Sequence, residues 1–153
     1  MEIIEATAHD LASILALQKL AYQSEAELVG DYSIAPLTQT LDGITDDFNS
    51  GVLLKAVDKA DKNEIIGSVR ARFSENTLYI GRLIVSPLRQ NQGIGTALLH
   101  AAEALHPGAR FELFTSDKSE KNLALYTKNG YKEFKREPLN ENVNIVFLEK
   151  HGK

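Results

Sequence analysis

Two rhythms of apolar and polar positions run along this chain. Residues 2–7 alternate as a short strand stopped at Thr7, and Thr7-x-x-Asp10 offers a helix N-cap with an acidic group in the first turn. Leu11, Ile14, Leu15, Gln18, Ala21 and Tyr22 recur at helical spacing, which predicts a first helix to about Ser24. Residues 25–36 hold Gly30 and Pro36 without a clear period and read as a loop or a broken helix. Leu37, Leu41, Ile44 and Phe48 predict a second helix, closed by Asn49-Ser50-Gly51.

The rhythm then changes. Runs over 52–58 and 65–73 read as strands, and the polar turn at 59–63 makes them an antiparallel hairpin. A second turn, Ser74-Glu75-Asn76, leads into a long strand over 77–85. Ile94, Ala97, Leu98, Ala101 and Leu105 share one helical face, and His106-Pro107-Gly108 stops that helix. A strand over 110–115 precedes a short helix over 119–128, ended by Asn129-Gly130. Strands over 131–136 and 143–149 flank a turn at 139–142. The order β-α-α-β-β-β-α-β-α-β-β predicts an α/β fold, a mixed central sheet of about seven strands with helices on both faces. The β-helix-β crossover through residues 77–115 should be right-handed and its two strands parallel.

That crossover carries the most informative stretch. The strand ends in Leu83-Ile84-Val85-Ser86-Pro87, a polar loop with Gly93 and Gly95 follows, and the helix begins. Such a loop leaves backbone N–H groups unpaired at the positive end of a helix, an arrangement that holds phosphate or pyrophosphate without a basic side chain. The dinucleotide fingerprint Gly-x-Gly-x-x-Gly with a distant acid does not fit, because only two glycines are present and the next strand ends at Thr115.

Composition narrows the chemistry. The 153 residues suit one domain, residues 1–153. No cysteine is present, which excludes disulfides, thiolate metal sites and an acyl-cysteine intermediate. His9, His100, His106 and His151 are scattered without ligand spacing, so no metal is expected. The net charge of −4 and the lack of basic residues interleaved with aromatics argue against nucleic acid. No apolar run approaches the ~20 residues of a membrane span and no leader pattern opens the chain, so a cytoplasmic protein without membrane attachment is expected.

Two motifs together resemble the GCN5-related N-acetyltransferase (GNAT) superfamily. The first is Gln90-Asn91-Gln92-Gly93-Ile94-Gly95, similar to that family's Arg/Gln-x-x-Gly-x-Gly/Ala loop. The second is Asn122-Leu123-Ala124-Leu125-Tyr126-Thr127-Lys128-Asn129-Gly130-Tyr131, similar to its Asn…Leu-Tyr-x-Lys-x-Gly-Tyr/Phe stretch. The resemblance spans the whole chain through its element order and implies the GNAT-type acyl-CoA acyltransferase fold. It implies acetyl-CoA as donor, with CoA as product and no metal. The backbone of Leu83, Ile84 and Val85 would pair with the pantetheine arm, and the Val85 N–H would meet the thioester oxygen. N–H groups from Gln90 through Asn91, Gln92, Gly93, Ile94 and Gly95 to Thr96 would hold the pyrophosphate. Asn122 would touch the cofactor arm, and the Tyr126 phenol would protonate the departing thiolate. Asn91 stands where the family often has Gly, and Asn tolerates a positive φ.

The implied reaction is direct attack of a primary amine on the thioester in a ternary complex. A longer acyl donor and a non-catalytic acyl-CoA-binding module with the same fold are the alternatives. No carboxylate stands at Tyr79 or Gly81 to act as base, which leaves Glu112 as the candidate, with an ion pair to Arg82 as its structural alternative. Residues 20–54 contain Glu25, Glu27, Asp31, Asp42, Asp46 and Asp47 and no Lys or Arg. This suggests an acidic rim for a cationic small-molecule or peptide amine, with Tyr22, Glu25, Tyr32 and Tyr79 as acceptor-side residues. Dimers are common in the superfamily, so a homodimer is the expectation by analogy.

Overall fold

A computed structural model describes residues 1–152. Seven strands form one sheet in the order β1-β2-β3-β4-β5-β7-β6. The strands are β1 (Glu2–Glu5), β2 (Val52–Asp58), β3 (Glu64–Ser74), β4 (Thr77–Val85), β5 (Arg110–Ser116), β6 (Lys132–Asn140) and β7 (Val143–His151). All neighbours are antiparallel except β4 and β5, the parallel pair expected from the crossover.

The helices are α1 (Leu11–Ala21), α2 (Gln23–Val29), α3 (Ala35–Thr38), α4 (Leu41–Ser50), α5 (Ile94–Glu103) and α6 (Glu120–Lys128). A 3₁₀ turn at Ala8–Asp10 opens α1, and the Thr7 N–H donates to Asp10 Oδ2 at 2.8 Å. Burial alone would raise the Asp10 pKa, but Lys55 at 2.8 Å and the Thr7 groups together hold it below the usual carboxylate range.

The first helical region is more broken than its periodicity suggests. Of the two readings of residues 25–36, loop or broken helix, the second is found: α2 runs to Val29, where Gly30 caps it with φ 72°, and a short α3 follows. The expected second helix is split as well. Gln39 is extended, and Thr40 caps α4 afresh by accepting the Gly43 N–H at 3.1 Å. A capping side chain outcompetes continuation of the helix at that point. The last hairpin is longer than expected, with its turn reduced to Glu141 and Asn142.

Two cores sandwich the sheet. Ile94, Leu98, Leu99 and Ala102 of α5 pack with Leu54, Ile66, Leu78, Ile80, Phe111, Tyr126 and Tyr131 on one face. Leu11 and Ile14 of α1 and Ile44 of α4 pack with Ala6 and Leu53 on the other. At roughly 1.5–3 kcal/mol for each large side chain buried, the first cluster dominates the apolar stabilisation. The outer strand β6 is solvent-exposed along its whole length and carries Pro138 and several charges. Among the described residues no helix is long and apolar enough to cross a membrane.

Candidate active site

The site begins where the sheet stops being a sheet. β4 pairs with β5 only from Thr77 to Tyr79, against Arg110 to Glu112. Both strands continue, to Val85 and Ser116, but apart from one another. A wedge-shaped gap therefore opens between them.

A bulge in β4 sets the groups that border this gap. Register against β3 shifts by one residue between the Ser68–Ile84 and Arg70–Gly81 pairs, and Arg82 in the bulge has φ 48°. Strict alternation from Leu78 and Ile80 would drive Arg82 into the α5 core. The extra residue instead turns Leu83 and Val85 toward that core and leaves Arg82 on the α1 side. The Ser86 N–H donates to Ile66 O at 2.8 Å, which makes Ser86 a β3-bonded residue. By the alternation of an antiparallel ladder, Val85 then directs its N–H and C=O into the gap. The Val85 carbonyl accepts from Gln90 Nε2 at 3.2 Å, while its N–H is free for a ligand.

The loop after β4 is held from both ends. The Ser86 hydroxyl accepts from the Leu88 N–H at 3.3 Å, and the Arg89 guanidinium reaches Asp58 at 2.7 Å and Glu64 at 3.2 Å. That anchors the loop to the β2–β3 hairpin. Lys121 of α6 donates to Gln90 Oε1. Asn91 adopts φ 63°, as its tolerance of the left-handed region led us to expect, and Gly93 adopts φ 77° as the N-cap of α5. The loop residues 90–93 are exposed, and the first turn of α5 presents its unpaired N–H groups beside them. A Cβ at Gly95 would lie at ordinary van der Waals distance, 3.5 Å, from Leu125, so the packing of α6 does not by itself require glycine there.

The sequence profile described as "Acetyltransferase (GNAT) domain" matches residues 51–133, more than half of the chain and all of this wedge-and-loop unit. The chain belongs to the GNAT acetyltransferase family. Solved structures of this fold agree in shape. The PaiA N-acetyltransferase of Thermoplasma acidophilum, in complex with coenzyme A, superposes with a TM-score of 0.79 at 19% identity, covering 98% of each chain. A GNAT phosphinothricin acetyltransferase from Sinorhizobium meliloti, with AcCoA, gives 0.76 at 17%, covering 99% of this chain and 88% of the other. An aminoglycoside 6'-N-acetyltransferase complexed with coenzyme A gives 0.76 at 20%, covering 99% and 97%. No curated protein matches in sequence.

The acyl donor that goes with GNAT membership is acetyl-CoA, and the residues present fit it. A free strand edge suits an amide-bearing arm, and an exposed loop with left-handed Asn91 and Gly93 suits a pyrophosphate. The Ser116 hydroxyl, at the open end of β5, is buried without a hydrogen-bond partner. Among the described residues no cluster of His, Asp or Glu is arranged to hold a metal.

The gap also brings together side chains from helices on opposite faces of the sheet. Glu25 of α2 accepts from Ser119 Oγ at 2.8 Å and from Asn122 Nδ2 at 3.2 Å, contacts across more than 90 residues of chain. Asn122 donates as well to Thr115 Oγ1 at 3.3 Å, so its amide already has partners in the gap. Tyr126 of α6 is buried, and loss of solvent pushes its phenol above the ordinary tyrosine value, with Tyr22 and Glu25 adding to the effect. Burial raises Tyr22 too, against the opposing pull of the nearby Arg82 guanidinium. Tyr131, the last residue of the second motif, is a core anchor whose phenol donates to Glu103 at 2.7 Å.

Several expected acceptor-side features are rearranged. Glu112 faces the same side as Tyr79, its register partner, but its ion pair is with Arg110 at 2.8 Å and not with Arg82. Arg110 also holds Glu149 at 2.8 Å, so Glu112 is one arm of a carboxylate–guanidinium–carboxylate set. The acidic rim is thinner than its composition implies. Glu25 is turned into the gap, and Asp47 is bound by Arg70, which also donates to Gln18 Oε1 at 2.7 Å and Gln39 Oε1 at 3.2 Å. Tyr32 lies exposed, and Tyr79 lies under the Arg72 guanidinium at 4.7 Å. Sequence reasoning missed Ser119, Thr115 and Arg82. The signal for Arg82 was present: a charge at a position where alternation demands a core residue.

Proposed function

We propose that this chain transfers the acetyl group of acetyl-CoA to a primary amine by direct attack in a ternary complex. The observation that carries this reading is the Val85 N–H and the buried Tyr126 phenol lying at one break in the sheet. Acetyl-CoA supplies the activated thioester. The Val85 N–H, already oriented, donates to the charge that develops on the thioester oxygen. The loop Gln90–Thr96 and the α5 N-terminus bind the pyrophosphate, and Leu83–Val85 orient the arm as an added strand. Tyr126 keeps its proton at neutral pH because burial disfavours its phenolate, so it can donate to the thiolate as the C–S bond breaks.

Glu112 is committed to Arg110, so we assign it no proton transfer. Glu25, whose partners are neutral donors, is the carboxylate positioned to receive the amine's proton, directly or through water. The test follows free CoA release with acetyl-CoA and a mixed panel of amines, with product mass as the second readout. Acetylated product whose rate of formation falls by roughly 10²-fold in Tyr126→Phe and falls in Glu25→Gln supports the reading. Thermal stabilisation by CoA with no product from any amine would instead identify an acyl-CoA-binding module.

A further inference from the structure

Arg82 is a charge without a counter-charge. Arg70, Arg89, Arg110 and Arg136 each hold a carboxylate, and Arg72 covers the Tyr79 ring. Among the described residues no carboxylate lies within 4.0 Å of Arg82. The fold nevertheless holds this side chain half-buried, on a bulge residue with a left-handed backbone that a branched or bulky residue would adopt only under strain. Another cation, Arg70, lies within its electrostatic reach and already holds Asp47. A partly desolvated guanidinium beside a second one is costly unless an anion completes the site.

Glu25 presents the opposite case across the same gap. Its carboxylate accepts from Ser119 and Asn122, and no cation among the described residues lies within 4.0 Å. Tyr22, at the junction of α1 and α2, lies within the electrostatic reach of both. The buried, unpartnered Ser116 hydroxyl falls by strand alternation on the sheet face that carries Glu112 and Phe114, the face toward α1. A cation lacking an anion and an anion lacking a cation thus flank the point where the Val85 N–H enters the gap.

We infer that the acceptor is a zwitterion, a free amino acid whose carboxylate is taken by Arg82 while its amino group lies toward Glu25. This rests on the transfer reading above and names its substrate class. Arg82 precedes Val85 by about 10 Å of strand, shortened by the bulge, so a carboxylate held by Arg82 and an amine attacking beside the Val85 N–H suit a compact acceptor. In a peptide the α-carboxyl group of the first residue is an amide and offers Arg82 no charge. A polyamine offers Arg82 only repulsion.

The experiment compares each L-amino acid with its own carboxamide as acceptor, an exchange that removes the negative charge and keeps the shape. The ratio of kcat/KM, acid over amide, is the readout, measured for the wild type, Arg82→Gln and Arg82→Lys. The expected wild-type ratio for the preferred side chain is roughly 10- to 100-fold, the size of a charge-assisted pair. Arg82→Gln should bring the ratio close to one, and Arg82→Lys should restore part of it. A wild-type ratio at or below one overturns the inference, as does a ratio that survives Arg82→Gln. Amines acetylated without regard to their carboxylate would sink this inference alone. If neither series is acetylated, this inference falls; the transfer reading falls with it only when CoA binds and no amine of the mixed panel is acetylated either.

Discussion

Leu78 and Val85 lie on the same strand, and both turn their side chains toward the α5 core. At Leu78 the backbone has a partner strand on each side, β3 and β5. At Val85 only β3 remains, and the N–H on the other side is open. The first end of β4 therefore contributes stability and the second, in the proposed transfer, contributes chemistry, although both read as the same apolar run. A free backbone donor is costly to bury and useful only where a ligand completes it.

Proline separates the two ends most sharply. Ile84→Pro removes a donor that the ladder with β3 uses and should cost about 3 kcal/mol or more, seen as a large loss in the midpoint of denaturant unfolding. Val85→Pro removes only the donor facing the gap. It should lower kcat by about 10²- to 10³-fold while losing less stability than Ile84→Pro. Equal unfolding midpoints with full activity at Val85→Pro would show that the N–H has no part in the reaction. At the closed end, Leu78→Ala should cost about 2–5 kcal/mol of folding free energy and leave kcat per folded molecule unchanged, by titration of active sites against CoA.

Tyr126→Phe comes next, with kcat expected to fall by roughly 10²-fold and the melting temperature little moved. Burial raises the Tyr126 pKa, so the acid form persists through neutral pH and beyond the ordinary value near ~10. The alkaline limb of the wild-type pH–rate profile below pH ~9 must then belong to another group, and Tyr126→Phe should lower the profile without moving that limb. The smallest effect is expected at the loop. Asn91→Gly keeps the left-handed backbone and should change stability by no more than about 0.5 kcal/mol, with CoA affinity preserved.

Much of this architecture was legible in the sequence because it is local. The limits of β2 and β4 follow from alternation broken by turn residues, and Gly93 and Gly130 mark helix ends that need positive φ. The α1–α4 region was misjudged where Thr40 starts a new helix inside the period running from Leu37 to Phe48, since capping at a single residue is hard to weigh against a hydrophobic period that runs through it. The glycine loop and Tyr126 could be proposed from the sequence because each belongs to a contiguous motif. Glu25, Ser119 and Asn122 meet only through the gap, and no spacing along the chain announces a contact made across a break in the sheet. For the same reason Glu112 acquired the wrong partner: Arg110 lies two residues away on the same face of β5, nearer than any residue of β4.

The divergence of β4 and β5 has a further consequence for the behaviour of the chain before it meets a ligand. Any sheet has two outer edges, and here both are poor templates for another copy: β1 is four residues long, and β6 is studded with charge and interrupted by Pro138. The gap adds two inner edges that carry no such protection, since Leu83, Ile84 and Val85 are apolar and strongly strand-forming. In the free protein Glu25 hydrogen-bonds Ser119 and Asn122 across that opening, and this bridge stands in the way of a strand added there. Aggregation on warming should therefore start from this interior seam, and CoA should suppress it as a chaperone would, by occupying the template.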